Sequence, residues 1–272
     1  MTKAGLLVSE ASKGRVRVER GDRAVLNNHD RVAVIAQFSL GPIQPRSLSE
    51  YMNQLDQAGY AIVISATCQN PAPLEFPYGV PDGAIIIRRP NLGYDFGSWA
   101  TALGCFPEIR NAGTVLLTND SLLGPFAPIS ELLEWAAASG PDIRGLTMSF
   151  QFVRHIQSFF LSFRGGILAD APWVDFFNSV RIEDGKDNVV MAYEIGVAKK
   201  IFSEAYSSEV WVTGPELGVP YGNPTVDGWR NLMQSGVPFL KRTIMTHPST
   251  LAECAEATQY VQRKFGTDIS IW

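Results

Sequence analysis

Apolar and polar positions follow two different periods along this chain. Val32-Ala33-Val34-Ile35-Ala36 is a continuous apolar run, the pattern of a strand buried on both faces of a parallel sheet. After a loop with Gly41, Pro42 and Pro45, the stretch Ser47–Ala58 sets Leu48, Tyr51, Met52 and Leu55 at helical spacing and stops at Gly59. Tyr60–Ser65 is apolar again, so the pattern predicts a strand–helix–strand unit with a right-handed crossover. The theme repeats with a strand at Gly83–Ile87, a turn at Asn91–Gly97, a helix over Ser98–Phe106 that turns Trp99, Ala102 and Leu103 inward, and a strand at Thr114–Leu117. This order implies an open α/β sheet of Rossmann type, mostly parallel, with ligands bound beyond the carboxyl ends of its strands.

After Asp142 the texture changes. Gly145–Phe150 and His155–Phe163 read as two tightly joined strands, with helices at Trp173–Val180 and Tyr193–Ala205, so the second half is expected to be α+β. Residues 1–30, polar and ending in Asn27-Asn28-His29-Asp30, read as an N-terminal extension with no assignable structure. The expected organisation is that extension, then 31–142 and 143–272 as two halves of one domain.

Composition narrows the classes of function. Lys and Arg number 23 against 27 Asp and Glu, a formal charge of −4, so a face-wide basic field for nucleic acid is excluded and any phosphate must be held locally. The three cysteines, Cys68, Cys105 and Cys254, show no metal-binding or disulfide spacing. Met1–Arg15 carries only the short apolar patch Ala4–Val8, and no apolar run approaches the ~18 residues of a spanning helix. The expectation is a cytoplasmic protein, with peripheral membrane contact left open.

Three clusters stand where predicted strands end. Arg88-Arg89-Pro90-Asn91-Leu92-Gly93-Tyr94-Asp95 is a basic pair followed by a glycine turn that opens a helix, an arrangement able to present backbone N–H groups to an anion. Its simpler explanation is a turn with Asp95 as N-cap. Asn119-Asp120-Ser121 follows an apolar strand and delivers a carboxylate able to hold a divalent cation or a sugar hydroxyl; alternatively it is a turn satisfied by its own side chains. In Phe152–Phe160, strand alternation puts His155 and Gln157 on one face, either as a sugar-facing wall or as hydrogen-bonded core groups.

Five motifs then occur in order: Asn91-x-Gly93-x-Asp95, Asn119-Asp120-Ser121 with Gly124-Pro125, His155-x-Gln157-Ser158, Tyr193-Glu194-Ile195-Gly196, and Gly236-x-Pro238-Phe239-x-Lys241. Together they resemble the rhamnan synthesis protein F family, glycosyltransferases that build bacterial rhamnose-containing polysaccharides, over roughly Arg31 to Pro248. The resemblance implies a GT-A type fold whose first half binds a nucleotide diphosphate sugar and whose second half shapes the acceptor site. On that basis Asn91, Gly93 and Asp95 form the donor loop. Asp120 takes the place of the Asp-x-Asp carboxylate toward Mg or Mn and the diphosphate, while Arg88, Arg89 or Lys241 neutralise charge. Asn119-Asp120-Ser121 has one carboxylate where Asp-x-Asp has two, so metal should help without being indispensable. His247 stands where some GT-A enzymes carry a third metal ligand, and equally reads as a surface residue before Pro248.

For an inverting transfer Glu194, read as lying near a helix start whose dipole keeps it ionised, is the first candidate base, and His155 the second. Gln157 joins the donor pocket. The implied acceptor is a polysaccharide or a lipid-linked glycan, in a biosynthetic complex at the inner membrane face. The competing expectation is a catalytically silent GT-A-like module that binds glycan or partner proteins. A nucleotidyltransferase would need a Gly-rich, Lys-bearing loop after the first strand, and Phe38–Pro45 has one glycine, two prolines and no lysine.

Overall fold

The computed structural model describes residues 4–272, so Met1–Lys3 of the predicted extension lie outside the described residues. In chain order the elements are α1 (Val8–Ala11), β1 (Arg17–Arg20), β2 (Arg31–Ser39), α2 (Arg46–Gln57), β3 (Tyr60–Cys68), β4 (Ile85–Arg88), α3 (Tyr94–Cys105), β5 (Thr114–Asn119) and β6 (Leu122–Leu123). They continue with α4 (Ser130–Ala137), β7 (Ile143–Ser149), β8 (His155–Ile156), β9 (Phe160–Arg164), α5 (Ala171–Asn178), α6 (Lys186–Val189), α7 (Ile195–Ser203), β10 (Ser208–Thr213), α8 (Trp229–Gln234), β11 (Leu240–Lys241), α9 (Arg242–Thr246) and α10 (Leu251–Phe265).

Nine strands make one sheet, ordered β1-β4-β3-β2-β5-β9-β7-β10 with β8 beside β7. The run β4-β3-β2-β5 is parallel, as the apolar blocks require, and β9 crosses antiparallel between β5 and β7. Because β3 and β4 lie to one side of β2 and β5 to the other, the strand order reverses between β2 and β5, which opens a crevice at their carboxyl ends.

Alternating strand residues feed two cores. Val32, Val34 and Ala36 pack toward Phe96, Trp99 and Leu103 of α3, while Ala33 and Ile35 pack toward Met52 and Leu55 of α2. Trp99 is fully buried and donates its indole N–H to the Thr118 carbonyl at 2.9 Å, pinning α3 to β5; truncating it to alanine would cost about 3–5 kcal/mol. A third, smaller core gathers Phe126, Trp229, Ile244 and Val261 around the β6–β11 ribbon. That ribbon pairs Leu122 with Lys241 and so joins the Gly124-Pro125 and Gly236–Lys241 motifs.

Three sequence expectations change. Residues 4–30 are not a loose extension: β1 pairs antiparallel with β4, and Val8 of α1 is buried in the main core. His155–Phe163 is not one strand but β8 and β9 with a break at Gln157–Phe159. The second half is not free of parallel pairing, because β10 lies parallel to β7; Ser208–Thr213, half exposed on an outer edge, lacks the apolar run that marks an inner strand.

Candidate functional site

A cleft of about 570 Å³ lies at the carboxyl ends of β2 and β5, within the size range of ligand sites. Phe38 and Ser39 from β2, Asn119–Ser121 at the end of β5, and Tyr94 and Asp95 at the start of α3 form one side. His155, Gln157 and Ser158, with Glu194, Lys186 and Asn223, form the other, and Lys241 and Arg242 come up from the ribbon.

Two carboxylates share this cleft. Asp120 Oδ2 accepts the Phe38 backbone N–H at 3.0 Å, and burial, helped by the negative charge of Asp95, pushes its carboxyl up to about 7. Asp95 accepts from the Asn119 amide at 2.8 Å, and burial raises its pKa as well. Asn119 Oδ1 in turn accepts from the N–H and hydroxyl of Ser121, and Lys241 Nζ donates to Ser121 Oγ at 2.7 Å. Lys241 also stands 5.0 Å above the Phe159 ring. Burial pulls its ammonium down to about 8 against the attraction of Asp95, Glu194 and Asp120. Arg242 donates to the Asp120 carbonyl at 2.8 Å and to Ser47 Oγ at 2.6 Å, which ties the ribbon to α2.

On the opposite wall, His155 Nε2 faces Glu194 Oε1 at 3.3 Å, and its Nδ1 faces the Val153 carbonyl at 2.7 Å. Both neighbours are acceptors, an arrangement that favours the doubly protonated imidazolium. Burial opposes that charge, but Glu194 and Val153 outweigh it and hold the His155 pKa above its ordinary value. Glu194 Oε2 accepts from the Ser158 N–H at 2.7 Å and from the Ser158 hydroxyl. Against its own burial, these bonds and His155 keep Glu194 below the usual carboxylate range. Gln157 is held between Thr147 Oγ1, which donates to it at 2.7 Å, and Asn223 Oδ1, to which it donates at 3.1 Å.

The cleft thus brings together Asp95, Asp120, His155, Gln157, Glu194 and Lys241 from five distant stretches of chain. Other predicted residues stand elsewhere. Arg88 is buried in a bond to Glu19 at 2.9 Å and to the Ala72 and Asn70 carbonyls, so it locks β1 and cannot reach the cleft. Arg89 is consumed by the carbonyls of Pro90, Leu92 and Tyr94 and by Ser98; it fixes the turn from within, and burial draws its pKa to about 10. Asn91 is exposed and does not line the cleft.

Gly93 has φ 73°, and a Cβ there would stand 2.7 Å from Val8 Cγ2: the glycine serves contact with α1, not approach of a ligand. Asp95 is not the N-cap, a position taken by Gly93. Nor does Glu194 begin a helix. It closes a π-helical turn, Val190–Glu194, between α6 and α7, so its ionisation comes from Ser158 and His155 and not from a dipole end. His247 bonds Ser249 and caps a short turn away from the cleft.

Sequence reasoning missed Lys186, Arg242 and Asn223. Asn223-Pro224 is a turn dipeptide whose asparagine accepts from Thr225 as well as from Gln157, and that pairing was the available signal. Nothing in the local sequence marks Lys186.

A family model described as rhamnan synthesis protein F matches residues 82–271, from just before β4 to the penultimate residue, leaving out α1, β1, β2, α2 and β3. Virulence protein VirA of Vibrio anguillarum is 26% identical over 193 residues, covering 59% of this chain and 62% of that protein. An uncharacterized protein, y4gN, of Sinorhizobium fredii is 27% identical over 120 residues, 42% of this chain and 31% of its own. The chain therefore spans less than two thirds of the length of either relative.

Proposed function

The chain belongs to the rhamnan synthesis protein F family, and from that premise we propose that it is a glycosyltransferase, moving rhamnose or a related deoxyhexose from a nucleotide diphosphate donor to a bacterial polysaccharide or lipid-linked glycan with inversion. The observation that carries this reading is the cleft at the reversal of strand order, where Asp95 and Asp120 share one space with Lys241 and, across from them, the His155–Glu194 pair.

In this reading the departing diphosphate lies against Lys241, with Lys186 at the rim, so that the negative charge developing on the leaving oxygen meets a fixed ammonium. Mg or Mn, when bound, would sit on Asp120 beside Asp95 and neutralise part of that charge. Among the described residues no cluster of three or more His, Cys, Asp or Glu side chains could hold a metal ion, so such a cation would need oxygens from the diphosphate or from water besides these carboxylates.

The acceptor hydroxyl approaches from the opposite wall. Glu194 spends three of its four lone-pair sites on Ser158 and His155 and keeps one on Oε1 for the hydroxyl proton. His155 positions it. Gln157, clamped at both ends of its amide, presents a fixed edge to the sugar.

The test is turnover. Incubation with dTDP- and UDP-linked deoxyhexoses and a rhamnose-terminated acceptor should release free nucleoside diphosphate. Nucleotide binding with no release in the presence of acceptor would make the protein a silent module of the synthesis machinery instead.

A further inference from the structure

We infer that a second cavity, which shares His155 with the cleft, receives the saccharide chain of the acceptor and uses Phe202 as its stacking platform. The inference rests on reading the cleft as the donor site, and it assigns the other substrate a place of its own.

The cavity measures about 410 Å³ and lies between β7, β8 and the outer face of α7. His155 is the one residue that lines both it and the cleft. A chain seated here therefore lies against the residue that holds Glu194, one side chain away from the cleft.

The lining selects a class of ligand. Phe202 is 90% exposed, an aromatic face turned to solvent at the cavity edge. Tyr206 is held rigid beside it: its hydroxyl donates to Asp170 at 2.8 Å, and its ring packs 5.6 Å from Trp173. Arg154 lies exposed on the other side, and among the described residues its guanidinium has no hydrogen-bond or ion-pair partner. Flat apolar faces beside free N–H donors suit a pyranose, whose C–H face packs on a ring while its hydroxyls find donors.

Two alternatives fit poorly. The cavity meets the C-terminal end of α7 and the turn after it, Ala198 to Ala205, where the helix dipole is negative, which disfavours a phosphate. An acyl chain would leave Arg154 and the Ser208 hydroxyl facing hydrocarbon.

The experiment titrates the protein calorimetrically with a methyl-capped rhamnose trisaccharide, with and without saturating dTDP or UDP, in the wild type and in Phe202→Ala and Arg154→Ala. Both side chains are exposed, so both variants keep the fold, checked by unchanged circular dichroism and melting. The expected result is a loss of trisaccharide affinity of about tenfold or more in Phe202→Ala, with nucleotide affinity within about twofold of wild type. Trisaccharide affinity unchanged in both variants, or no trisaccharide binding by the wild type even with nucleotide present, overturns the inference. Phe202-dependent trisaccharide binding by a protein that binds no nucleotide keeps the saccharide site and removes the donor reading, so the two failures are told apart.

Discussion

His155 and Glu194 form a buried ion pair in which every nitrogen and oxygen of both side chains is engaged: Nε2 with Oε1 at 3.3 Å, Nδ1 with the Val153 carbonyl, and Oε2 with Ser158. The pair binds β8 to the π-helical turn and fixes the wall of the cleft. Its contribution to stability has two edges. The His155 pKa is raised, so its share is fully present below its ordinary 6.5 and lost as pH rises through the folded value. The Glu194 pKa is lowered, so its share is present above 4.5 and lost as pH falls through the folded value.

Glu194→Gln should therefore cost about 3 kcal/mol near pH 6, because it strands a buried imidazolium, and the deficit should shrink as the pH rises and His155 gives up its proton. Urea unfolding across about pH 5–9, on both sides of the ordinary histidine value, measures it. In the folded fraction, transfer should fall by roughly 10²–10⁴-fold with donor affinity nearly unchanged. Normal turnover would leave Glu194 with a structural role only.

Asp120 predicts the opposite effect on stability. Its carboxyl is raised from 3.8 to about 7, so the folded state holds the proton more tightly and stability declines as pH climbs between those values. Asp120→Asn should be more stable than the wild type at pH 8 by about 1–2 kcal/mol, allowing for the side chain's opening on the cleft, with no such gain near pH 4. It should also be inactive. Thermal melts at the two pH values, beside a turnover assay, check both halves.

Much of this was legible in the sequence. Strands β2, β3 and β5 declare themselves as unbroken apolar runs because both faces are covered, and their carboxyl ends locate the cleft. Asp120 could be read as a carboxylate delivered to such an end, Asp95 as part of a turn opening a helix and Gln157 as one face of a strand, while Lys241 entered only through the resemblance to a family. The partners of charged groups could not. Arg88 and Arg89 look like an anion site in one dimension, yet Glu19 and a ring of carbonyls, some from distant loops, have already claimed them. The π-helical turn is equally invisible, since one extra residue per turn leaves the helical spacing almost unchanged while it rotates Glu194 onto Ser158.

Gly93 supplies a test of packing. Gly93→Ala should cost about 1–2 kcal/mol, part from the positive φ and part from the clash with Val8 Cγ2. Adding Val8→Ala should relieve the clash but not the backbone strain, so the double variant recovers less than the whole. Denaturant midpoints of the two single variants and the double variant separate the parts. If nucleotide binding were lost with no loss of stability, the glycine would belong to the ligand after all.

Lys241 predicts a pH profile for nucleotide binding. Its ammonium titrates at about 8 in the free protein, so diphosphate affinity should weaken as pH rises from 7 to 9. Lys241→Met should bind weakly at every pH. EDTA should reduce affinity in the wild type without abolishing it, because Lys241 carries part of the charge. Complete loss on chelation would show that the cation and not the lysine holds the diphosphate.

The pairing of β1 with β4 has a consequence for handling the molecule. β1 is short and carries Arg17 and Arg20 along an exposed border, whereas β4 behind it is Ile85-Ile86-Ile87-Arg88 and fully buried. A chain shortened to begin at Arg31 would turn that isoleucine strand into an open border with an unsatisfied ladder, a template for strands from neighbouring molecules. The segment whose sequence looks least structured is in this sense a shield against self-association, and trimming it in search of a minimal folded unit should yield aggregates, not a smaller soluble protein.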